Sequence, residues 1–183
     1  MQDLWLLKHG PLAETIDRTS VQAWHALDRS GCYMYMPGDT AAPTLPLGAG
    51  AGAGGWQRLR CLQELAGASA GQVALNHYVV ETDVLPEFED DLNAWYAQEH
   101  LPGLAAVPGT VRAARYLDAG ASPRYYACYD LVDAAILGSP TWLAVRATPW
   151  SSRVRPAFRN TRRTMFCRTL PEPPSTAVQA LSS

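Results

Sequence analysis

The chain has 183 residues, of which 48% are hydrophobic and 17% are charged, and its formal net charge is −2. This length supports one domain or two small ones with a sizeable core, and the hydrophobic content excludes an intrinsically disordered chain. The low charged fraction predicts a buried subunit interface beside the core, and the near-neutral total argues against a protein that is basic throughout.

The amino-terminal residues and the cysteines predict a cytoplasmic protein. Asp3 stands where a secretory signal needs basic residues, and Lys8 and His9 interrupt the apolar run that follows. The longest charge-free stretch, 41–57, is too rich in Gly, Ala and Pro to cross a membrane. The four cysteines lie far apart, without the paired C-x-x-C spacing of zinc or redox sites, so we expect them to be reduced.

The first half of the chain contains a long Gly/Ala/Pro loop and one segment of ambiguous structure. The loop is expected at 41–55, and its last six residues, 50–55, match the dinucleotide-binding pattern G-x-G-x-x-G. We interpret the match as accidental, because Pro43 and Pro46 interrupt the strand that must precede such a motif. Residues 56–65 fit either a helix, with apolar residues at three-residue steps, or a strand, and both remain open.

The second half predicts strand, helix, strand, strand, helix and strand in that order. The strands are expected at 73–80, 110–117, 124–132 and 161–170, and the helices at 87–101 and 139–146. The strands are rich in β-branched and aromatic residues, while the first helix has apolar residues at three- and four-residue steps and acids in its first turn. Pro102 is expected to end that helix, and the tail from Pro171 is expected to be loose.

This order of elements defines the fold class as α+β, with a ferredoxin-like βαββαβ unit. Such a unit has a four-stranded antiparallel sheet with both helices on one face. The other face of the sheet is bare, and an apolar bare face must pack against a second sheet.

The first half resembles a degenerate copy of the second at an offset of 71 residues. The matched segments are 4–8 with 75–79, 23–24 with 94–95, and 37–38 with 108–109. At this offset Arg29 stands where the second half has His100. A full second helix and a fourth strand do not fit before residue 73, so the first repeat is expected to be incomplete. We therefore divide the chain into an incomplete repeat (1–70), a complete ferredoxin-like domain (71–170) and a flexible tail (171–183).

Four segments of the second half carry a resemblance to a known family. They are 93–102 (NAWYAQEHLP), 107–109 (VPG), 114–116 (ARY) and 122–129 (SPRYYACY). In these segments the chain resembles the EthD-like branch of the dimeric α+β-barrel superfamily, a group of small bacterial proteins. There, a W-Y-x-x-E-H-x-P segment closes the first helix and S-P-x-Y-x-A-x-Y-x-L forms the third strand.

The resemblance implies a ferredoxin-like unit whose open sheet packs against another sheet to form an α+β barrel. The second sheet usually comes from the partner in a homodimer, although here the first half of the chain could supply it, and both ways of closing the barrel stay open. Relatives in the wider superfamily include monooxygenases, muconolactone isomerases, decarboxylases and haem-handling enzymes, so the fold narrows the chemistry little.

His100 is the first candidate for catalysis. It ends the predicted helix, and because the C-terminal end of a helix favours the imidazolium, its pKa is expected near physiological pH, where a general acid or base works best. In the resembling family this histidine points toward the barrel cavity. The alternative is that His100 only caps the last carbonyl groups of its own helix.

Aromatic residues of the second half are expected to line an apolar pocket that carries a few hydroxyl groups. They are Trp95, Tyr96, Tyr116, Tyr125, Tyr126, Tyr129 and Trp142. Tyr96 or Tyr126 is expected to orient the substrate. The residues expected to contact it are Trp95, Tyr116 and Tyr125. Alternation along the third strand places Tyr125 and Tyr126 on opposite faces, so only one of them faces a cavity, and core packing is the alternative for each aromatic residue.

Arg115 and Arg124 are candidates for holding a substrate carboxylate, because a guanidinium can bind a carboxylate through two hydrogen bonds. The alternative for each is an ion pair at the surface or at an interface. His77, in the first strand of the second half, is a further candidate polar group inside the barrel. No second histidine or carboxylate stands at ligand spacing, so no metal site is expected.

The charges are unevenly distributed along the second half. Between Asp133 and Glu172 there are seven arginines and no acidic residue, whereas six acidic residues cluster at 81–91. We expect the two patches to meet in the fold or across a dimer. The arginines could instead form an anion-binding pocket, and a nucleic-acid surface is the least supported interpretation of the three.

These residues favour an enzyme that acts on a small aromatic or anionic molecule in a barrel cavity, as an isomerase, a decarboxylase or a cofactor-free oxygenase. His100 is expected to transfer the proton. The residues demand no organic cofactor, although His100 could ligate the iron of a bound haem. The alternative is a non-catalytic ligand-binding or assembly module of the same fold, which the degenerate first repeat favours. The expected partners are a small-molecule ligand and a second copy in a homodimer, with no membrane or nucleic acid.

Overall fold

The computed structural model describes residues 1–10, 21–39 and 55–168. The strands in these residues are β1 (Leu4–His9), β2 (Gln22–Ala26), β3 (Cys32–Pro37), β4 (Gln57–Ala66), β5 (Asn76–Val84), β6 (Thr110–Leu117), β7 (Tyr125–Leu131) and β8 (Phe158–Cys167). The helices are α1 (Glu89–Trp95), α2 (Leu101–Ala105), α3 (Pro140–Arg146) and α4 (Pro149–Val154), with a π-helical turn at Tyr96–His100. The predicted loop at 41–55, apart from its last residue, and the predicted tail at 171–183 lie outside the described residues.

The eight strands close into one barrel. Around the barrel they run β1, β3, β2, β8, β5, β7, β6 and β4, and β4 pairs back with β1. Every neighbouring pair is antiparallel. One chain therefore supplies both sheets. Of the two ways of closing the barrel, the structure shows closure by the first half of the same chain.

Each half contributes a sheet in the ferredoxin-like order. The sheet of the second half runs β8-β5-β7-β6, and the sheet of the first half runs β4-β1-β3-β2, which is the same pattern. The expectation that a second helix and a fourth strand do not fit before residue 73 is wrong for the strand, because β4 is that strand, whereas residues 40–54, where the helix would stand, lie outside the described residues. The pairs β4–β6 and β2–β8 join the two sheets. The division of the chain at residue 70 stays a prediction.

Residues 56–65, which fitted either a helix or a strand, lie almost entirely in β4. Leu59 is fully buried in the barrel interior, whereas Arg58 and Arg60 on either side of it are exposed. This alternation has the period of two that defines a strand. Because β4 fills the gap between β1 and β6, it removes the open edges that both sheets would otherwise have.

The offset of 71 residues matches only the first strands of the two halves. Segments 4–8 and 75–79 fall on β1 and on the start of β5, which hold equivalent positions in the two sheets. Trp24 lies in β2, whereas its match Trp95 ends α1. Arg29 lies in the turn after β2, with a φ of 60°, and does not correspond to a helical residue. The sequence matches beyond the first strands are coincidental.

The helix after β5 is longer than predicted, because a π-helical turn carries it past Pro102. It runs through α1, the π-helical turn and α2, and ends at Ala105. The N–H of Leu101 donates to the carbonyl group of Tyr96, five residues earlier. Pro102 has no N–H and lies in the first turn of α2, where a missing donor is tolerated. His100 therefore lies inside a helical segment and not at its C-terminal end.

The second helical region consists of two short helices. Each has a proline at its first position, and the hydroxyl group of the residue before that proline caps the helix. The Oγ of Ser139 accepts a hydrogen bond from the N–H of Trp142 at 3.2 Å and caps α3. The Oγ1 of Thr148 accepts one from the N–H of Ser151 at 3.1 Å and caps α4. Proline is favoured at the first position of a helix, and Pro140 and Pro149 take that position in α3 and α4.

The barrel wall separates an interior apolar core from an outer one, and a smaller apolar cluster of the first half contains Leu7, Cys32 and Met34. The interior core includes Leu6, Trp24, Val79, Tyr126 and Phe166. The outer core lies between the sheet of the second half and the helices, and includes Tyr78, Leu92, Trp95, Tyr129 and Trp142. The predicted alternation along β7 is confirmed, because Tyr125 belongs to the outer core and Tyr126 to the interior. Any site is therefore either outside the wall, under the helices, or inside the barrel.

Candidate functional site

The candidate residues from the sequence lie on both sides of the barrel wall. Those on the helix side are Trp95, Tyr96, His100, Arg115 and Tyr125. Those in the interior are His77, Tyr116 and Tyr126. Arg124 lies at the edge and pairs with Glu89. Of the two tyrosines that were expected to orient a substrate beside His100, only Tyr96 lies there.

A small cavity lies beside His100, between the helices and the sheet. Its volume is about 30 Å³, which is enough for one or two water molecules. Aromatic side chains form most of its wall: Tyr78, Trp95, Tyr96, Tyr129, Trp142 and Phe158. Three arginines complete the lining, namely Arg146, Arg155 and Arg163.

The imidazole of His100 is uncharged at neutral pH. The side chain is only 7% exposed, and its ring stacks on the indole of Trp95 with centroids 4.1 Å apart. Burial, and then the positive charges of Arg155 and Arg146, lower the pKa of His100 to about 3. The expectation of an imidazolium is wrong, because it assumed a helix C-terminus that the π-helical turn moves further along the chain. The Nδ1 of the ring has no hydrogen-bond partner among the described residues, so it caps no carbonyl group of the helix.

Three buried polar atoms on the wall of this cavity have no hydrogen-bond partner among the described residues. They are His100 Nδ1, Tyr129 Oη and Trp142 Nε1. Leaving a buried donor or acceptor without a partner costs about 1–3 kcal/mol. A polar atom placed in this cavity would recover part of that cost, so the cavity is prepared to hold one.

The mouth of the cavity is positively charged. Among the described residues, none of Arg146, Arg155 and Arg163 forms a salt bridge, and the guanidinium of Arg155 instead donates to the carbonyl group of Arg146 at 3.4 Å. Burial, and then the charges of Arg146 and Arg163, lower the pKa of Arg155. Arginines that repel one another in this way favour an anion between them.

The arginine-rich segment thus divides into two groups. Arg153 meets the acidic patch, since its guanidinium binds both carboxylate oxygens of Asp91. Arg162 is the cross-strand neighbour of Glu81, whose charge is the largest cause of the raised pKa of Arg162. The expected meeting of the two charged patches is therefore seen for these residues. The arginines at the mouth of the cavity have no carboxylate partner among the described residues and are available to a bound anion.

The two arginines that were expected to hold a carboxylate have other surroundings. Arg115 is 3% exposed, and its guanidinium lies 4.3 Å from the ring centroid of Tyr96 and 4.5 Å from that of Tyr125. It lines a separate groove of about 260 Å³ and not the His100 cavity. Arg124 forms an ion pair with Glu89, as its alternative interpretation had it.

The remaining candidates take part in interior networks. The hydroxyl group of Tyr126 accepts a hydrogen bond from Lys8, which also pairs with Glu81. His77 is hydrogen-bonded to Asp130, and Tyr116 accepts from Arg112. Asp130 and Arg112 were not among the candidates predicted from the sequence. The alternation along β7 carried the signal, because it places Asp130 on the interior face, where a carboxylate needs a partner.

The residues around His100 do not fit a haem. The cavity of about 30 Å³ is far smaller than the several hundred Å³ of ordinary cofactor pockets. One face of the imidazole is covered by Trp95, and the ring of Tyr96 lies edge-on at 5.3 Å. We therefore propose no haem-dependent chemistry at His100.

Neither a cluster of potential metal ligands nor a candidate membrane-spanning helix occurs in the described residues. No group of three or more His, Cys, Asp and Glu side chains in them could hold a metal ion. No helix in the same residues is both long enough and apolar enough to cross a membrane.

Comparison with known proteins gives the fold. No protein-family model matches the chain, and no curated protein matches its sequence. Among solved structures, it is similar to a protein from Lactobacillus acidophilus described as a candidate monooxygenase, with a TM-score of 0.61, 7% identity, and coverage of 92% of this chain and 95% of that one. It is also similar to a ferredoxin-fold protein from Listeria monocytogenes related to antibiotic biosynthesis monooxygenases, with a TM-score of 0.53, 13% identity and coverage of 94% and 95%.

A heme-degrading enzyme from Listeria monocytogenes has the same fold, with a TM-score of 0.51, 10% identity, and coverage of 92% of this chain and 99% of that one. These identities are low, so the likeness defines the class of fold, a ferredoxin-like α+β barrel, and does not carry over an activity.

Proposed function

We propose that this chain is a small-molecule enzyme that transfers a proton on a small anionic, aromatic substrate bound beside His100. One observation carries the proposal. Among the described residues, three buried polar atoms without a hydrogen-bond partner and three arginines without a carboxylate partner belong to side chains that line one cavity. A ligand with an aromatic body, an anionic group and one further polar atom would satisfy all of them. The aromatic wall can stack on such a body, which enters the cavity of about 30 Å³ only after side chains of that wall have moved aside.

His100 acts as the general base in this proposal. Burial is the main cause of its low pKa, and the charges of Arg155 and Arg146 lower the pKa further, so an anion bound between those arginines offsets their part and raises the pKa of His100. The imidazole is therefore uncharged before the substrate binds and becomes a stronger base once it has bound. An uncharged imidazole with a free Nδ1 can accept a proton from a substrate C–H or O–H group.

Tyr96 orients the substrate. Burial raises its pKa to about 12, so that its hydroxyl group stays protonated and can donate a hydrogen bond. Its ring is held between the guanidinium of Arg115, at 4.3 Å, and the indole of Trp95, at 4.7 Å between centroids. Arg115 therefore positions Tyr96 and does not itself hold the substrate. Tyr126, on the other side of the barrel wall, takes no part.

The reaction class that we propose is one that begins with proton removal. Isomerisation and cofactor-free oxygenation of aromatic compounds share this step, and the chain's own side chains can perform it, whereas a decarboxylation would need a proton donor for the carbanion that loss of CO2 leaves. Monooxygenase relatedness in two of the similar structures supports the proposal at the level of the fold. Membership of the EthD-like branch, supported by the segment from Trp95 to Pro102, belongs to the same proposal.

The proposed proton transfer can be tested with phenylpyruvate, an aromatic anion with exchangeable C–H groups. The wild-type chain is expected to accelerate deuterium incorporation from D2O, followed by NMR. His100→Gln should slow this exchange about 100-fold or more, the usual contribution of a general base. Arg155→Gln should weaken binding of the probe, whereas the matched variant Arg153→Gln should not, since Arg153 is already paired with Asp91.

The non-catalytic module stays a second candidate, because one observation favours it. The His100 cavity of about 30 Å³ is almost filled by its own aromatic wall, so a substrate must displace side chains in order to enter. Binding of phenylpyruvate that depends on Arg155, with no acceleration of exchange, would support the module over the enzyme. Absence of both would remove the two candidates together.

Two further expectations belong to this proposal. A homodimer, as the resemblance implies, would join two complete barrels, because each chain already closes its own. Sedimentation at several concentrations tests this arrangement. A cytoplasmic location would suit four cysteines that are all free in the structure.

A further inference from the structure

A second and larger cavity lies in one mouth of the barrel. Its volume is about 350 Å³, and it shares no lining residue with the cavity at His100. The residues of its wall that matter here are Leu4, Tyr35, Met36, His77, Arg112 and Tyr116. This volume falls within the range of about 300–1,000 Å³ that small-molecule sites occupy.

A fixed network of polar groups forms one side of this cavity. The Nδ1 of His77 lies 2.6 Å from Asp130, and the Nε of Arg112 donates to the same carboxylate at 2.8 Å. Burial opposes ionisation of Asp130, but the bond to His77 and the charge of Arg112 outweigh it and lower its pKa. An ionised Asp130 accepts a hydrogen bond from the Nδ1–H of His77, and the Nε2 of His77 lies 3.1 Å from the hydroxyl oxygen of Tyr35.

The cavity does not favour an anion. Arg112 faces two carboxylates, Asp130 at 2.8 Å and Glu64 at 3.1 Å, so its positive charge is already offset. The mouth of the His100 cavity differs, because its arginines have no carboxylate partner among the described residues. The barrel mouth therefore suits an uncharged molecule.

Two hydrogen-bond donors nevertheless remain available. The hydroxyl group of Tyr116 accepts from Arg112 at 3.0 Å, and its own hydrogen has no acceptor among the described residues. The Nη2 of Arg112 donates to no group in those residues either. Both side chains line the cavity, so they can donate together to one oxygen atom.

Apolar side chains form another part of the wall, beside the amide side chains of Gln2 and Gln22. Leu4 and Met36 line the cavity and are partly exposed at its entrance. The thiol of Cys128 adds no charge, because burial raises its pKa to about 12. The body of a bound molecule would lie against these side chains.

We propose that this barrel mouth is a second ligand site, which binds a small uncharged molecule with a carbonyl oxygen on an apolar ring or chain. The carbonyl oxygen accepts from Tyr116 and Arg112, and the ring or chain contacts Leu4 and Met36. The hydrogen bonds among Tyr35, His77 and Asp130 hold the polar side of the site in one arrangement before the ligand arrives.

The methionines allow a direct test with cyclohexanone as the probe. The chain has four methionines, so that ¹³C-methyl labelling gives a simple spectrum. Cyclohexanone should shift the Met36 signal, and not those of Met34 or Met165, which pack in other parts of the molecule. Cyclohexanecarboxylate, which has the same ring and a negative charge, should bind this site more weakly than cyclohexanone.

Variants separate a built site from an accidental one. Tyr116→Phe removes one donor and should weaken cyclohexanone binding about 5–10-fold. Its matched control, Tyr129→Phe, removes a hydroxyl group on the other side of the wall and should leave the affinity unchanged. Leu4→Trp should fill the cavity and abolish binding, and an unchanged Met165 signal shows that the variant is folded. No Met36 shift at any soluble concentration, equal affinity in Tyr116→Phe, or tighter binding of the carboxylate would overturn the proposal.

Discussion

The ring of His100 lies flat on the indole of Trp95, with centroids 4.1 Å apart and an angle of 20° between the planes. The stack covers one face of an imidazole that is uncharged and has no partner at Nδ1 among the described residues. We therefore expect His100 to contribute little to the free energy of unfolding and to serve as the proton acceptor of the proposed site.

His100→Leu is expected to leave the unfolding free energy at pH 7 unchanged or to raise it by about 1 kcal/mol. The variant keeps an apolar side chain of similar volume and removes a buried polar atom without a partner. Urea denaturation measures the effect. A loss of 2 kcal/mol or more, the size expected for a structural hydrogen bond or a cavity, would show that His100 belongs to the scaffold.

The same variant should change how stability depends on pH. The pKa of His100 is about 3 in the folded chain and near 6.5 in the unfolded chain, so the unfolded chain binds an extra proton between these values. The contribution of the uncharged imidazole is fully present above pH 6.5 and is lost as the pH falls toward 3. In wild type this lowers the unfolding free energy by about 1.4 kcal/mol per pH unit over that window.

The measurement is a series of urea titrations from pH 7 to pH 4.5 on wild type and His100→Leu. The difference between the two proteins should grow as the pH falls, in favour of the variant. His9→Gln serves as the control, because His9 is not buried. Parallel curves for wild type and His100→Leu would contradict the low pKa.

Asp130→Asn should destabilise the chain by about 3–5 kcal/mol. Asp130 is 9% exposed and its carboxylate is bound by His77 and Arg112, so the substitution leaves the buried His77 and the half-buried Arg112 with an uncharged partner. Asp91→Asn removes a carboxylate from the exposed pair with Arg153 and should leave the urea midpoint nearly unchanged. Equal effects of the two substitutions would mean that the interior network is not formed as described.

Leu59→Ala should cost about 2–5 kcal/mol, because Leu59 is fully buried in the barrel interior. Leu62→Ala, on a partly buried residue of the same strand, should cost less. Denaturant unfolding of both variants measures the difference. A negligible cost at Leu59 would contradict the placement of β4 as the strand that closes the barrel.

The sequence predicts the strands of the second half clearly, because each is a short run of β-branched and aromatic residues bounded by turn residues. Strand β6 was predicted at 110–117 and is observed as Thr110–Leu117. Strand β4 is different, because its apolar residues recur at three-residue steps and fit a helix equally well. What decides its structure is pairing with β1 and β6, which lie far away in the chain.

The end of the long helix could not be predicted, because a proline in a helical pattern ordinarily ends it. Pro102 does not, since the π-helical turn before it moves the hydrogen bonding by one residue. This one irregularity changes His100 from a terminal residue that a helix dipole would favour as a cation into a buried, uncharged one. The motif located the residue, but only the tertiary structure gave its charge state.

For the arginines of the site, too, the sequence shows the residues but does not predict their contacts. The run after Asp133 was evident, yet Arg153 and Arg155 differ in role although they lie two residues apart. Residues two apart on a helix face different directions, and Asp91 lies on the side of Arg153 only. Which arginines remain without a carboxylate depends on that packing.

The most direct test of the account is an NMR titration of the His100 imidazole, with and without benzoate as an anionic aromatic probe. The account predicts a pKa far below 6.5 in the free chain, near 3, and a higher value with benzoate, with the increase lost in Arg155→Gln and kept in Arg153→Gln. A pKa near 6.5 in the free chain, or one that benzoate does not change, would contradict the assignment of His100 as the base of an anion-binding site.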